Sequence, residues 1–282
     1  MIYTLGFSPC PNDTFIFDAL VNHKIDTGDF KFSVQLEDVE TLNEMALNGK
    51  LDFTKISYGV LPMIAKNYKV LNSGSALGKG VGPLLISKAP VDFDEVENYT
   101  IAIPGENTTA HLLFSLAFPK AKNKIFKRYD EIEKAVLESE KVLGVIIHEN
   151  RFTYMDKGLH KIVDLGNYWE EKTGLPIPLG GIVGKRNLDA SILKRVDALI
   201  KKSIEYAFSN YPLITDYVKE HSQEMEPEVM KKHIDLYVNK FSINLGKEGK
   251  NAIQQFMDIY RSTRETLNQP VLLDSEIFVE GG

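Results

Sequence analysis

Ile2-Tyr3-Thr4-Leu5-Gly6-Phe7-Ser8-Pro9-Cys10-Pro11-Asn12-Asp13-Thr14-Phe15-Ile16-Phe17-Asp18-Ala19-Leu20 changes its period once, at the proline pair. Ile2–Phe7 is an apolar run of strand length, and beyond Asp13 the residues Phe15, Ile16, Ala19 and Leu20 recur at helical spacing. The link between them is stiff, because each proline ring fixes φ. Asn12 or Asp13 is expected to cap the helix with a side-chain oxygen. The same alternation continues downstream. Phe32–Leu36 has Phe32, Val34 and Leu36 on one strand face, and Val39–Leu47 is helical with Leu42, Met45 and Ala46 inward. Leu51–Ile56 reads as a strand and Tyr58–Ala65 as helical. Strand and helix in alternation predict a parallel α/β sheet, and ligands of such sheets bind beyond the carboxyl ends of the strands.

A second series follows. Leu84–Ser87 is strand-like and flanked by Gly82-Pro83 and Lys88-Ala89-Pro90. Thr100–Ile103, Ile125–Tyr129 and Val142–Ile147 read as strands. Thr109–Phe118 and Ile132–Leu137 read as helices, with a short helix from Glu149. Residues 176–184 (PIPLGGIVG) resemble 82–87 in being glycine-rich and apolar. Beyond Asn187 the pattern turns helical. Asp189–Asn210 carries Ile192, Val196, Leu199, Ile200, Ile204 and Phe208 at three and four, and Leu213–His221, Pro227–Asn239 and Glu248–Leu267 follow. The reading is an α/β protein of two lobes. Residues 1–89 and 179–282 form a discontinuous large lobe, and residues 90–178 form a smaller inserted one. Two strands cross between the lobes as a hinge, and the ligand cleft lies between them.

Composition narrows the function class. The chain has 282 residues, 43% hydrophobic and 26% charged, as in ordinary globular proteins. With 33 Lys+Arg against 39 Asp+Glu, the net charge is −6, which argues against nucleic acid as a partner, since that binding needs concentrated positive charge. The single cysteine, Cys10, excludes an intramolecular disulfide framework and Cys-rich metal sites. No window approaches the roughly 18–20 apolar residues of a membrane span, and the start lacks a basic n-region and an apolar core of signal length. A cytoplasmic protein with no membrane partner is expected. Gly78-Lys79-Gly80 lacks the spacing and hydroxyl residue of a phosphate loop. His148-Glu149 lacks a second histidine at zincin spacing. Lys120, Lys122, Lys124, Lys127 and Arg128 read as a solvated face.

Four segments carry candidate chemistry. Ser8–Asp13 leads into a helix whose free N–H groups favour an anion. In Thr54-Lys55-Ile56-Ser57-Tyr58, Lys55 and Ser57 share one strand face and can reach one ligand. Gly105-Glu106-Asn107-Thr108-Thr109-Ala110 joins a strand to a helix and offers hydroxyls and amides, and it is expected to face Ser8–Asp13 across the cleft. In Gly144-Val145-Ile146-Ile147-His148-Glu149-Asn150-Arg151, His148 follows an apolar strand and so falls at its carboxyl end. There an imidazole can take and return a proton near neutral pH. Cys10 reads as a buried small residue.

Together these segments resemble the 1,4-dihydroxy-6-naphthoate synthases of the futalosine route to menaquinone. The resemblance rests on residues 6–17 (GFSPCPNDTFIF), 36–42 (LEDVETL), 77–83 (LGKGVGP), 146–154 (IIHENRFTY), 169–180 (WEEKTGLPIPLG) and 237–242 (YVNKFS). It implies a fold similar to type II periplasmic binding proteins. It also implies a lyase that converts cyclic dehypoxanthine futalosine to 1,4-dihydroxy-6-naphthoate and dihydroxyacetone. By the same resemblance His148 is the proton acceptor, and Lys55, Ser57, Thr109 and Ala110 bind substrate, beside the Asn12 and Asp13 singled out above. No metal and no organic cofactor is implied. The expected partner is a small-molecule substrate, and a homodimer is kept open. Two alternatives share the fold: a solute-binding protein and the sibling chorismate dehydratase.

Overall fold

The computed structural model describes residues 2–222, 226–266 and 276–280. Its chain divides into two units, Met1–Gly78 with Pro178–Gly282, and Lys79–Ile177.

In the first unit β1 (Ile2–Phe7) buries Leu5 and Phe7 completely. It leads through Ser8–Cys10 into α1 (Pro11–Val21). Pro11 sits in the first helical turn, where its missing N–H costs nothing. Every residue of α1 from Pro11 to Leu20 is buried, more than the spacing of four apolar positions suggests. β2 (Lys31–Leu36), α2 (Val39–Leu47), β3 (Phe53–Ser57), α3 (Leu61–Ile64), β4 (Tyr68–Val70) and β5 (Ala76–Gly78) complete this stretch. Asp38 caps α2 by accepting from Glu40 N at 3.0 Å and Thr41 N at 3.3 Å. α2 lies against the sheet where β1 has no side chain, since a Cβ on Gly6 would stand 2.5 Å from Leu51 Cδ1 and 2.8 Å from Leu42 Cδ2.

The second unit holds β6 (Leu84–Ser87), β7 (Thr100–Ile103), α4 (Thr109–Ala117), β8 (Lys124–Phe126), α5 (Ile132–Glu138), β9 (Val142–Ile146), α6 (Asn150–Thr153), β10 (His160–Asp164) and α7 (Leu165–Thr173). Its sheet order is β10-β6-β9-β7-β8. β7 runs parallel to both β8 and β9, while β6 is antiparallel to β9 and β10. The first lobe was expected to run to residue 89, but β6 pairs Leu84 with Ile146 and Leu85 with Val145 in this second sheet. Ladder hydrogen bonds, not chain proximity, decide which sheet a strand joins. Just before β6, a Cβ on Gly82 would meet Gly166 Cα at 2.2 Å. The backbone entering β6 and the start of α7 therefore touch directly. The strand expected at Ile125–Tyr129 is shorter, because Tyr129–Glu131 turns as a 3-10 helix.

β11 (Ile177–Lys185) returns the chain to the first sheet, antiparallel to β3 and β4. That sheet has the order β2-β1-β3-β11-β4, with β5 also on β11, and β1 parallel to β2 and β3. The sheet is therefore mixed, not wholly parallel as expected. Then come α8 (Ala190–Asn210), α9 (Asp216–His221), α10 (Pro227–Tyr237), α11 (Lys240–Ile243) and α12 (Gly246–Thr266). The helix expected from Leu213 starts at Asp216, and Leu267, the expected end of the last helix, lies outside the described residues. α8 covers α1 through Ser203, whose Oγ donates to Ile16 O at 2.6 Å and accepts from Leu20 N at 3.1 Å. Phe7, Phe17, Phe53, Ile182, Val196, Ile200 and Ile204 share this unit's core. Among the described residues no helix is long and apolar enough to cross a membrane.

Candidate active site

β1 and β3 are parallel neighbours, pairing Leu5 with Phe53 and Gly6 with Thr54. The loop after Phe7 and the residues ending β3 consequently share one edge of the first sheet. There the Asp13 carboxylate, 1% exposed, is the hub. Its Oδ1 accepts from Lys55 Nζ at 2.7 Å and Asn12 Nδ2 at 2.8 Å. Its Oδ2 accepts from Ser8 Oγ at 2.8 Å and Ser8 N at 3.2 Å. Lys55 is itself buried and also reaches Gly74 O at 3.4 Å. A buried ion pair persists only where further hydrogen bonds satisfy both charges, and these contacts do so.

The capping expectation needs correction. Cys10 is the residue flanking α1, and no side chain caps the helix. Asp13 lies in the first turn, where a negative charge suits the helix dipole. Its oxygens are taken by Lys55, Asn12 and Ser8. Cys10 is a buried free cysteine, as expected. Asn12, 6% exposed, keeps Oδ1 without a hydrogen bond among the described residues.

Ser57 closes β3 two residues beyond Lys55, on the same face. Its N–H donates to Asn43 Oδ1 at 2.8 Å, and its Oγ accepts from Asn43 Nδ2 at 3.2 Å. Asn43 is fully buried on α2 and was missed in the sequence. The available signal was a polar residue beside the inward Leu42 and Ala46. Behind Ser57, Gly180 of β11 lets the strands close, since a Cβ there would stand 2.7 Å from Ile56 O. Nearby, Tyr58 hydrogen-bonds Ser75 Oγ at 2.7 Å, and burial pushes its phenol well up, so it stays neutral.

The second unit repeats the arrangement. β7 and β9 are parallel neighbours, so the loops after Ile103 and Ile146 leave the same edge. Thr108 caps α4, accepting from His111 N at 3.2 Å and donating to Gly105 O at 2.9 Å. Thr109 and Ala110 are the first two helical residues and are buried. His148 follows β9 with φ +55°, a left-handed backbone that is uncommon for a residue with a Cβ. Such conformations persist only where the surroundings over-determine them, and they cluster at functional sites.

Those surroundings are explicit. The Tyr129 ring meets the imidazole edge-on at 5.0 Å between centroids. Asn150 Nδ2 donates to the buried Glu133 Oε2 at 2.5 Å, which also pairs with Lys157 Nζ. Arg151 reaches the other way, to Gly80 O at 2.9 Å, Gly82 O and Asp164 Oδ2 at 2.6 Å. Asp164 Oδ1 in turn accepts from Gly166 N at 2.9 Å and Asn167 N at 3.2 Å, capping α7. The turn carrying His148 is thus anchored on two sides. Of the residues singled out from sequence, Asn12, Asp13, Lys55 and Ser57 gather in the first unit, and Thr109, Ala110 and His148 lie at one sheet edge of the second.

A family profile described as menaquinone biosynthesis matches residues 3–262. The chain belongs to the menaquinone biosynthesis family. Two relatives bear the name 1,4-dihydroxy-6-naphtoate synthase. The one from Thermus thermophilus is 44% identical over 249 residues, covering 88% of this chain and 90% of its own. The one from Streptomyces coelicolor is 42% identical over 255 residues, 89% of each. Among solved structures, a protein from Archaeoglobus fulgidus superposes with a TM-score of 0.88 at 29% identity, covering 93% of this chain and 97% of its own. The periplasmic aliphatic sulphonate binding protein of Escherichia coli superposes at 0.69 and 11% identity, covering 98% and 97%. That second likeness shows the fold alone. This chain has a periplasmic-binding-protein-like fold of mixed α/β character.

Proposed function

We propose that this chain is a 1,4-dihydroxy-6-naphthoate synthase, a lyase that converts cyclic dehypoxanthine futalosine to 1,4-dihydroxy-6-naphthoate and dihydroxyacetone. The observation that carries this is the pair of relatives with that name, 44% and 42% identical over about nine-tenths of the chain. The local chemistry supports it. His148 sits at a strand's carboxyl end in an over-determined turn, as a general base requires a fixed position. In this reading His148 takes the substrate proton and returns it to the departing three-carbon fragment. Cleavage occurs at the sugar-derived part, and aromatisation of the naphthalene ring drives it. Lys55, Ser57, Asn12, Thr109 and Ala110 are the substrate-binding residues of this reading, and Asp13 acts with them by holding Lys55, Asn12 and Ser8 in place. The same reading places the enzyme in the cytoplasm, where a free thiol such as Cys10 stays reduced.

The test is incubation of the purified chain with cyclic dehypoxanthine futalosine, and separately with chorismate, following products by mass. Release of the naphthoate from the first alone is the expected result. Stoichiometric binding without product would favour a solute receptor, and turnover of chorismate the sibling dehydratase. His148→Ala should still bind substrate while turning over about 10²–10⁴-fold more slowly. Near-normal turnover would remove His148 as the base.

A further inference from the structure

The bonds around Ser57 exclude one direction for its hydroxyl proton. A backbone N–H can only donate, so the Asn43 atom 2.8 Å from Ser57 N is the carbonyl Oδ1. That fixes the amide orientation, which hydrogen-bond networks otherwise leave to assignment. The atom facing Ser57 Oγ at 3.2 Å is then Nδ2, which can only donate. Its second hydrogen goes to Glu40 Oε2 at 3.1 Å, so the amide is held from two sides. Asn43 is fully buried and cannot trade these partners for water. Ser57 Oγ therefore accepts from Asn43, and its own proton points elsewhere. Among the described residues this is the one hydrogen bond that Oγ makes.

We infer that Asn43 is a positioning residue that keeps the Ser57 proton free to donate to an accepting group on the ligand, a carboxylate or carbonyl oxygen. This deepens the proposed function, on which it rests, by assigning a polarity to one of its substrate contacts. With Asn43 Nδ2 donating to one of the two lone pairs of Oγ, the Ser57 proton has no acceptor on α2 and is left for an acceptor on the ligand.

The test is a cycle read by binding of 1,4-dihydroxy-6-naphthoate in calorimetry, with turnover measured beside it. Asn43→Asp keeps the oxygen that accepts from Ser57 N and replaces Nδ2 with an oxygen that accepts the Ser57 proton, turning the hydroxyl away from ligand. Glu40→Gln is made with it so that no second carboxylate faces the new one, and E40Q alone is the reference. Ser57→Ala and E40Q/N43D should each weaken naphthoate binding by about ten- to a hundredfold, the range for a hydrogen bond to a charged acceptor. The triple variant should be no weaker than either. KM for substrate should rise in step while kcat stays within about twofold, a split that general loss of structure would not produce. Additive losses, or wild-type binding in E40Q/N43D, would overturn the inference. If E40Q/N43D does not fold, Ser57→Ala decides, since unchanged binding there overturns the inference by itself. Coupled binding losses without wild-type turnover would sink the enzymatic reading and leave the donor role standing. Normal turnover with uncoupled losses does the reverse, and a wild type that neither binds the naphthoate nor turns over substrate overturns both.

Discussion

Replacing Lys55 with methionine tests whether the buried pair organises the first-unit site. Met keeps the length and apolar body of the stem and removes the charge. Lys55 Nζ and Asp13 Oδ1 are 2.7 Å apart, with side chains 6% and 1% exposed. Breaking such a pair from one side costs about 3–5 kcal/mol, because the charge left behind is buried without its counterion. Here Asp13 retains Ser8 N, Ser8 Oγ and Asn12 Nδ2 as donors, which places the cost near the lower end, about 3 kcal/mol. Asp13→Asn/Lys55→Met removes both charges and should recover about 1–2 kcal/mol of that loss. In urea, with a slope of about 3 kcal/mol/M for a chain of this size, the midpoint of K55M should fall by about 1 M with the slope unchanged. The assay is urea unfolding followed by far-UV circular dichroism without ligand. A K55M midpoint within about 0.3 M of wild type would refute the reasoning. So would a double variant less stable than K55M.

Two further outcomes are expected. Arg151→Lys keeps the charge but cannot span Gly80 O, Gly82 O and Asp164 Oδ2 together. Steady-state kinetics should therefore show kcat lowered about 10–100-fold, with KM moved far less, if displacing His148 by a fraction of an ångström costs what misplacement usually does; an unchanged kcat would separate Arg151 from the histidine turn. Asp52 is pushed up by burial, but hydrogen bonds from Thr4 N and Oγ and from Lys185 outweigh that and hold its carboxyl below the ordinary carboxylate value. Its stabilisation is therefore present above the unfolded pKa of about 3.9 and lost as pH falls through the lower folded value. Asp52→Asn should flatten the acid limb of Tm against pH below about pH 4, and an unaltered limb would count against the assignment.

The period change at the proline pair was enough to place β1 and α1, because alternation and helical spacing are local properties of the chain. For the same reason Val39–Leu47, Leu84–Ser87 and Thr100–Ile103 have the bounds that their apolar patterns suggest. His148 could be placed at a strand end because Val142–Ile147 is continuously apolar. Lys55 and Ser57 could be put on one face because strand side chains alternate. What escaped reading depends on partners distant in sequence. Asp13 looked like a cap because caps are local, yet its oxygens are used by Lys55, 42 residues away, and by Ser8. β10 escaped because His160–Asp164 is a half-exposed edge strand with little apolar pattern.

The sequence by itself determined the alternation of strand and helix, the candidate residues at strand ends and, through its motifs, the family. Only the tertiary structure decided that β6 belongs to the second sheet, that Asn43 exchanges two hydrogen bonds with Ser57, and that His148 adopts a left-handed backbone between Glu133–Asn150 and Arg151–Asp164. The division is physical. Periodicity is written in neighbouring residues, whereas ladder membership, side-chain hydrogen bonding and backbone strain depend on partners that folding alone brings into contact.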